Sequence, residues 1–244
     1  MIPVEIQYEL KDLVINKAMV LTLLQNLKTD KSPGPDSLHP RLLFEIKESI
    51  AEPLSIIFNQ SLALKTVRKE WKNAQISAIF KKGNKSQAKN HRPVSLTSVV
   101  CKIIEKLIRL HMINHMKANK LFSNKQYGFI EGRSTALQLL EVIDKWSEAL
   151  DEGLDIDCIC TDFQKAFDKV PHKRLIKKIE IYGITNPILS WIEDFLSRRY
   201  QRVSIEREIS NRMEDVLSLA HTLIVRFFPL LLLPPMICTR SIHV

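Results

Sequence analysis

Hydrophobic positions recur at close to helical spacing at the start of the chain. Ile6, Leu10, Leu13, Val14, Ala18, Leu21, Leu24 and Leu27 predict one or two helices over residues 5–28. Lys31-Ser32-Pro33-Gly34-Pro35-Asp36-Ser37 interrupts the pattern with an ordered turn. His39-Pro40-Arg41 then starts a helix running to about Ile50, and a further helical segment is expected from Pro53 to Leu64. Residues 71–80 alternate toward their end and predict a strand, running into the basic turn Lys81-Lys82-Gly83-Asn84-Lys85. Val99, Val100, Ile103, Ile104, Leu107 and Ile108 mark an amphipathic helix, with Lys102, Lys106 and Arg109 off the stripe. A glycine-bearing turn at residues 125–135 leads to another helix, stitched by Leu137, Leu140, Ile143 and Leu150 with Trp146 beside them.

The next stretch, residues 157–172, organises the rest. An apolar, β-branched run ends on Asp162, and a helical pattern with Phe163, Phe167 and Asp168 follows at once. Cys158 and Cys160 share a strand face with Asp162, and both thiols are read as packing groups. A carboxylate at the end of a buried strand is rigidly held and can meet a divalent cation. Aspartate is also a preferred helix N-cap, and both readings fit the local pattern. A basic amphipathic segment (residues 173–182), a stop at Gly183, a helix through Trp191, Ile192, Phe195 and Leu196, and a strand at residues 201–205 complete the pattern. Strands mixed with runs of helices imply an α+β or irregular α/β fold.

Composition changes this picture in two respects. Residues 64–133 hold 16 Lys/Arg against 3 acids, so the net charge of +9 is concentrated there. Such a block fits either a nucleic-acid backbone or a solvated lysine-rich surface. The 244 residues suit one or two domains, no secretory leader is expected at the start, and the four cysteines show no zinc spacing. Reduced thiols in an intracellular, reducing compartment are therefore expected. His111 and His115 have a spacing that can bind metal but lack a third ligand, and are read as exposed helix histidines.

Four motifs occur in a fixed order: Lys31-Ser32-Pro33-Gly34-Pro35-Asp36, then Trp71 to Lys82 with Arg92-Pro93-Val94-Ser95-Leu96, then Gln126-Tyr127-Gly128-Phe129 with Gly132-Arg133-Ser134-Thr135, and finally Asp162-Phe163-Gln164-Lys165-Ala166-Phe167-Asp168-Lys169-Val170. From about residue 28 to about residue 218 the chain resembles the reverse transcriptase domain of non-LTR (LINE-type) retrotransposons. The resemblance implies an α+β, partial right-hand polymerase fold: fingers and the first part of a palm, with an incomplete palm sheet. It implies an N-terminal helical segment (1–30), a fingers-like region (31–150), a partial palm (151–218) and an apolar tail (219–244). Asp162 would be the catalytic carboxylate and Mg²⁺ ligand, in a reaction where two metals stabilise the attacking 3′-oxygen and the leaving pyrophosphate. Phe163 would lie near the nucleotide and Phe167 against its 2′ position. Arg92, with Lys102, would bind the triphosphate. Lys81, Lys82, Lys85 and Arg133 would contact nucleic acid, and Asp168 would be structural. The implied partners are an RNA template, a DNA primer and deoxynucleotide triphosphates, with no membrane.

The family's G-x-P-Q-G loop and [FY]-A-D-D hairpin do not occur in these residues: the last glycine is Gly183, the last glutamine Gln201 and the last acid Asp215. The expected function is therefore a fragment of an RNA-directed DNA polymerase domain that is not catalytically competent as written. The alternative is a non-catalytic remnant that binds nucleic acid. The charge-free run from Phe227 to Thr239 contains three prolines and is shorter than the roughly 20 residues a membrane span requires. A shifted reading frame or a mispredicted exon accounts for it, with a membrane anchor or an exposed, aggregation-prone segment as the other readings.

Overall fold

Side-chain caps and one proline set where the first helices begin. The structure is a computed structural model, and it describes residues 8–87, 90–158, 170–205, 208–210 and 213–215. Helix α1 (Lys17–Gln25) starts at Asn16, whose side chain accepts from the Met19 N–H at 3.0 Å. Helix α2 (Pro40–Glu45) has proline in its first turn and His39 Nδ1 accepting from the Arg41 N–H at 3.2 Å. Helix α3 (Lys47–Ala63) follows a break at Ile46 and runs straight through Pro53. The expected break between Ile50 and Pro53 is thus misplaced: one missing N–H is tolerated inside a helix anchored by Ala51, Ser55, Phe58 and Leu62.

The helical reading of residues 5–28 is corrected as well. The described residues 8–16 are not helical, because tertiary partners take their backbone groups. The Ile15 N–H donates to Asn59 Oδ1 at 2.9 Å, and Asn59 Nδ2 donates back to the Ile15 carbonyl at 2.7 Å. The Leu10 N–H donates to the Gly183 carbonyl at 2.8 Å. A side-chain amide that offers both donor and acceptor replaces the helical bonds that local propensity favours.

A mixed sheet of five short strands forms beside the helices. A 3₁₀ turn (Lys69–Lys72) leads into β1 (Asn73–Phe80), which pairs antiparallel with β2 (His91–Thr97). On its other side β1 pairs in parallel with β3 (Arg199–Ile205), from Asn73 opposite Tyr200 to Ser77 opposite Ser204. Strands β4 (Glu208–Ile209) and β5 (Met213–Asp215) both run antiparallel to β3, one against its end and one against its start. Parallel pairing requires a long crossover. Between β2 and β3 the chain supplies α4 (Val99–Ala118), α5 (Thr135–Asp151), α6 (His172–Ile181) and α7 (Ile188–Leu196).

The core lies mostly among helices. The predicted stripe of α4 is buried from Val99 through Ile108 on one face, against α1, α3, α6 and α7 residues. Trp191 is fully buried, stacks on Phe195 and donates its indole N–H to Ser61 Oγ at 2.9 Å, joining α7 to α3. Phe58 meets Trp71 edge to face at 5.9 Å, joining α3 to the entry of β1. Each such large side chain contributes about 1.5–3 kcal/mol on burial.

Three further expectations change. The two histidines of α4 are neither a metal pair nor simply exposed: His115 is buried and donates Nε2–H to the Tyr182 carbonyl at 2.9 Å, while His111 bonds the Lys11 carbonyl at 2.7 Å. Helix α5 does not bury its predicted stripe. Leu137, Leu140, Ile143 and Leu150 are exposed, and Ala149 is its one buried residue among those described. Cys158 is exposed and not buried as expected, and residues 154–158 carry no regular strand. Cys160 and the rest of that predicted strand lie outside the described residues. No described helix is long and apolar enough to cross a membrane.

The turn containing Pro33, Gly34 and Pro35 is wedged against the junction of β2 and α4. A Cβ on Gly34 would lie 2.6 Å from the Thr97 carbonyl oxygen and 2.8 Å from Ser98 N. The turn closes with the Ser37 N–H donating to the Gly34 carbonyl at 3.0 Å. Because backbone has to move to admit a methyl group, Gly34→Ala is expected to cost about 1–3 kcal/mol. A lowered urea midpoint with unchanged slope is the expected reading.

Candidate nucleic-acid interface

The β1–β2 hairpin concentrates positive charge on an element that leaves the core. Residues 73–97 contain Lys81, Lys82, Lys85, Lys89 and Arg92 and no acid. Ala74 and Ile76 anchor the base of β1 in the interior, whereas Ala78, Ile79 and Phe80 are exposed. The outer half of the ribbon is therefore solvated on both faces.

The tip is built by short polar contacts. The Lys81 N–H donates to the Asn90 carbonyl at 2.9 Å. Asn84 Oδ1 accepts from both the N–H and the hydroxyl of Ser86, at 2.9 and 2.8 Å. Asn90 Nδ2 donates to the Asn84 carbonyl at 2.9 Å. Gly83 has φ +87°, a conformation that a side chain disfavours. Phe80 packs edge to face on His91 at 5.6 Å, and the Lys85 ammonium lies 5.5 Å from the Phe80 ring centroid. Aromatic rings interleaved with ammonium groups suit stacking and phosphate contact together.

The predicted residues do not all converge here. Lys81, Lys82 and Lys85 are exposed at the tip, and Arg92 is exposed on β2 opposite Ile79. Lys102 lies beyond the far end of β2, in the first turns of α4, and Arg92 stands roughly 17 Å from that end at strand rise. The hairpin alone therefore does not bring these two together. Arg133 is half-buried, and its Nη1 donates to the carbonyls of Ser123 and Gln126, each at 2.6 Å. It fastens the glycine-bearing loop. Tyr127 bonds Glu141 on α5, and Lys117 bonds Glu131 at 2.6 Å. The Lys117 hydrogen bond and charge hold the Glu131 carboxyl below its usual range. Asp162, Phe163, Phe167 and Asp168 lie outside the described residues.

Two features of this region escaped the sequence reading. Residues 91–97 form a full strand, although Pro93 sits within it; β2 is an edge strand, where proline is tolerated. Arg202 of β3 lies opposite Gln75, which lies opposite Leu96, so it stands on the same sheet face as Arg92. Only the pairing register reveals this, and no local pattern carries it.

The described residues thus form a mixed α+β body that carries a basic, aromatic-bearing hairpin. The family described as reverse transcriptase (RNA-dependent DNA polymerase) matches residues 79–227. The chain is similar to the probable RNA-directed DNA polymerase from transposon BS of Drosophila melanogaster, with 28% identity over 84% of this chain and 23% of that protein. It is similar to the RNA-directed DNA polymerase from mobile element jockey of Drosophila melanogaster, with 30% identity over 77% of this chain and 20% of that protein. A third relative is the transposon TX1 uncharacterized 149 kDa protein of Xenopus laevis, 25% identical over 70% of this chain and 13% of that protein. The chain belongs to the reverse transcriptase family, and carries part of such a domain. The resemblance to non-LTR retrotransposon enzymes read from its motifs is borne out. The chain spans less than a quarter of the length of these relatives. The family match also continues past residue 218, the approximate end of the motif resemblance.

Proposed function

We propose that residues 1–244 provide the fingers and the first part of the palm of a right-hand polymerase, and that by themselves they bind nucleic acid without extending a primer. The observation that carries this reading is the hairpin: Lys81, Lys82, Lys85 and Arg92 are exposed on it, residues 73–97 hold no carboxylate, and the Phe80 ring is exposed. Lys81, Lys82 and Lys85 meet the phosphates of a template or primer. Arg92 receives the triphosphate of an incoming nucleotide through its bidentate fork. Lys102 contributes a point charge from α4, and Arg133 acts by holding its loop.

The catalytic centre is incomplete in these residues. Magnesium takes six oxygen ligands and is held by protein carboxylates together with substrate phosphates. Asp162 is the one palm-motif carboxylate assigned to it, and residues 1–244 contain no [FY]-A-D-D. Among the described residues no group of three His, Cys, Asp or Glu could hold a metal ion. The residues present do not fit a two-metal site, and no chemical step is assigned to them.

Primer extension on an RNA template with Mg²⁺ tests the reading. No extension is expected from residues 1–244, alongside measurable RNA binding that falls steeply with salt. Extension abolished by Asp162→Asn would show a working centre and overturn the proposal.

A further inference from the structure

At the foot of the hairpin sheet lies a cleft of about 130 Å³, between the turn carrying Pro35 and Asp36, the start of β1 and the strand β3. Its polar lining comprises Asp36, Glu70, Asn73, Tyr200, Gln201 and Arg202. The pairing register connects it to the basic hairpin. Asn73 lies opposite Tyr200, Gln75 opposite Arg202, and Ile79 opposite Arg92. Alternate residues of β1 share a face, so Tyr200, Arg202 and Arg92 stand on one side of the sheet. From Ile79 to Asn73 the strand spans roughly 20 Å.

The chemistry of the cleft differs from that of the hairpin. Asp36 and Glu70 only accept hydrogen bonds and repel a phosphate. Asp36 is oriented by its Oδ1, which accepts from the Leu38 N–H at 3.3 Å. Its turn is fixed by the close approach of Gly34 to the Thr97 backbone. Glu70 is exposed and makes a loose ion pair with Arg68 Nε at 3.9 Å. The cleft brings together two acceptor-only carboxylates, the Asn73 amide and the Arg202 guanidinium, with the Tyr200 phenol beside them. That set matches a guanine edge: adjacent N–H and NH₂ donors for a carboxylate, and O6 and N7 acceptors for an arginine or amide. Tyr200 offers a flat face on which a base stacks.

We infer that this cleft is a base subsite that selects guanine. The inference rests on the proposed nucleic-acid reading, with the backbone on the hairpin cations and one base turned into the cleft. The same edge could come from a strand or from a free guanine nucleotide, and the test separates them.

Anisotropy titrations would use a labelled oligoadenylate carrying a single central guanosine, inosine or adenosine. Guanosine is expected to raise affinity about tenfold or more over adenosine. Inosine, which lacks the 2-amino group, is expected to lose most of that gain. Asp36→Asn combined with Glu70→Gln keeps the turn's acceptor and is expected to erase the preference for guanosine while oligoadenylate still binds, more tightly because two negative charges are gone. Equal affinity for all three strands, with binding retained, overturns the inference alone. If no oligonucleotide binds, the hairpin reading fails, and calorimetry with guanosine monophosphate then decides the cleft. Binding that is lost in the double variant identifies a free-nucleotide site; no binding overturns the subsite.

Discussion

Replacing Asp194 with alanine is expected to cost about 3 kcal/mol, the largest loss anticipated for a single surface-proximal side chain here. Asp194 sits on α7 and reaches the segment that feeds β1. Its Oδ1 accepts from Lys72 Nζ at 2.8 Å and its Oδ2 from the Val67 N–H at 2.7 Å. The Lys72 side chain is 9% exposed and that of Asp194 is 20% exposed, so the ammonium is nearly dry while its partner is partly solvated. Removing the carboxylate leaves a buried charge and a backbone donor without their acceptor. For a chain of this size the melting temperature should fall by about 6–12 °C. Lys72→Met is expected to cost less, since Asp194 keeps the Val67 bond and some water. In a double-mutant cycle the combination should cost clearly less than the sum, because each change removes the partner that the other leaves stranded. Additive losses would mean that the pair does not couple α7 to the sheet.

That clasp joins positions 122 apart in sequence, and nothing local announces it. What is legible locally is what repeats locally. The period of α4 predicts the face that becomes the core from Val99 to Ile108. Trp191, Ile192, Phe195 and Leu196 predict the buried side of α7 in the same way, and Gly183, at φ +79°, ends the preceding helical segment as expected. Long-range partners are where the pattern misleads. Residues 8–16 carry a helical period, yet Asn59 and Gly183 take the backbone groups of Ile15 and Leu10, and the segment is not helical. His115 looks like half of an exposed pair until the Tyr182 carbonyl, from another element, accounts for its burial.

Helix α5 shows a different limit. Its stripe of leucines and isoleucine marks a face that packing would favour, but periodicity does not say what covers it. Among the described residues nothing does, and Leu139, Leu140 and Leu150 are all more than half exposed. The candidate site divides in the same manner. The motif around Arg92 is readable because it is contiguous. The alignment of Arg92 with Arg202 depends on a parallel pairing between strands more than a hundred residues apart. Asp162 and its neighbours belong to the motif reading alone.

On the proposed function, the β1–β2 hairpin is the surface that nucleic acid meets. Lys81, Lys82, Lys85 and Arg92 are exposed together on it, and each phosphate they neutralise releases a counterion. Replacing all four by alanine should lower the magnitude of the slope of log affinity against log salt by about 3 for single-stranded RNA. Between 50 and 200 mM salt, the wild type should then lose roughly fiftyfold more affinity than the variant. Three alanines on α6, at Lys173, Arg174 and Lys177, serve as the control, because these residues are exposed cations far from the hairpin in sequence. They remove charge without touching the ribbon. The deciding measurement is the salt dependence of RNA binding for the wild type, the hairpin variant and the α6 variant in parallel. A slope that collapses only in the hairpin variant is the expected result. Equal slopes in all three, or the same loss from the α6 changes, would contradict it.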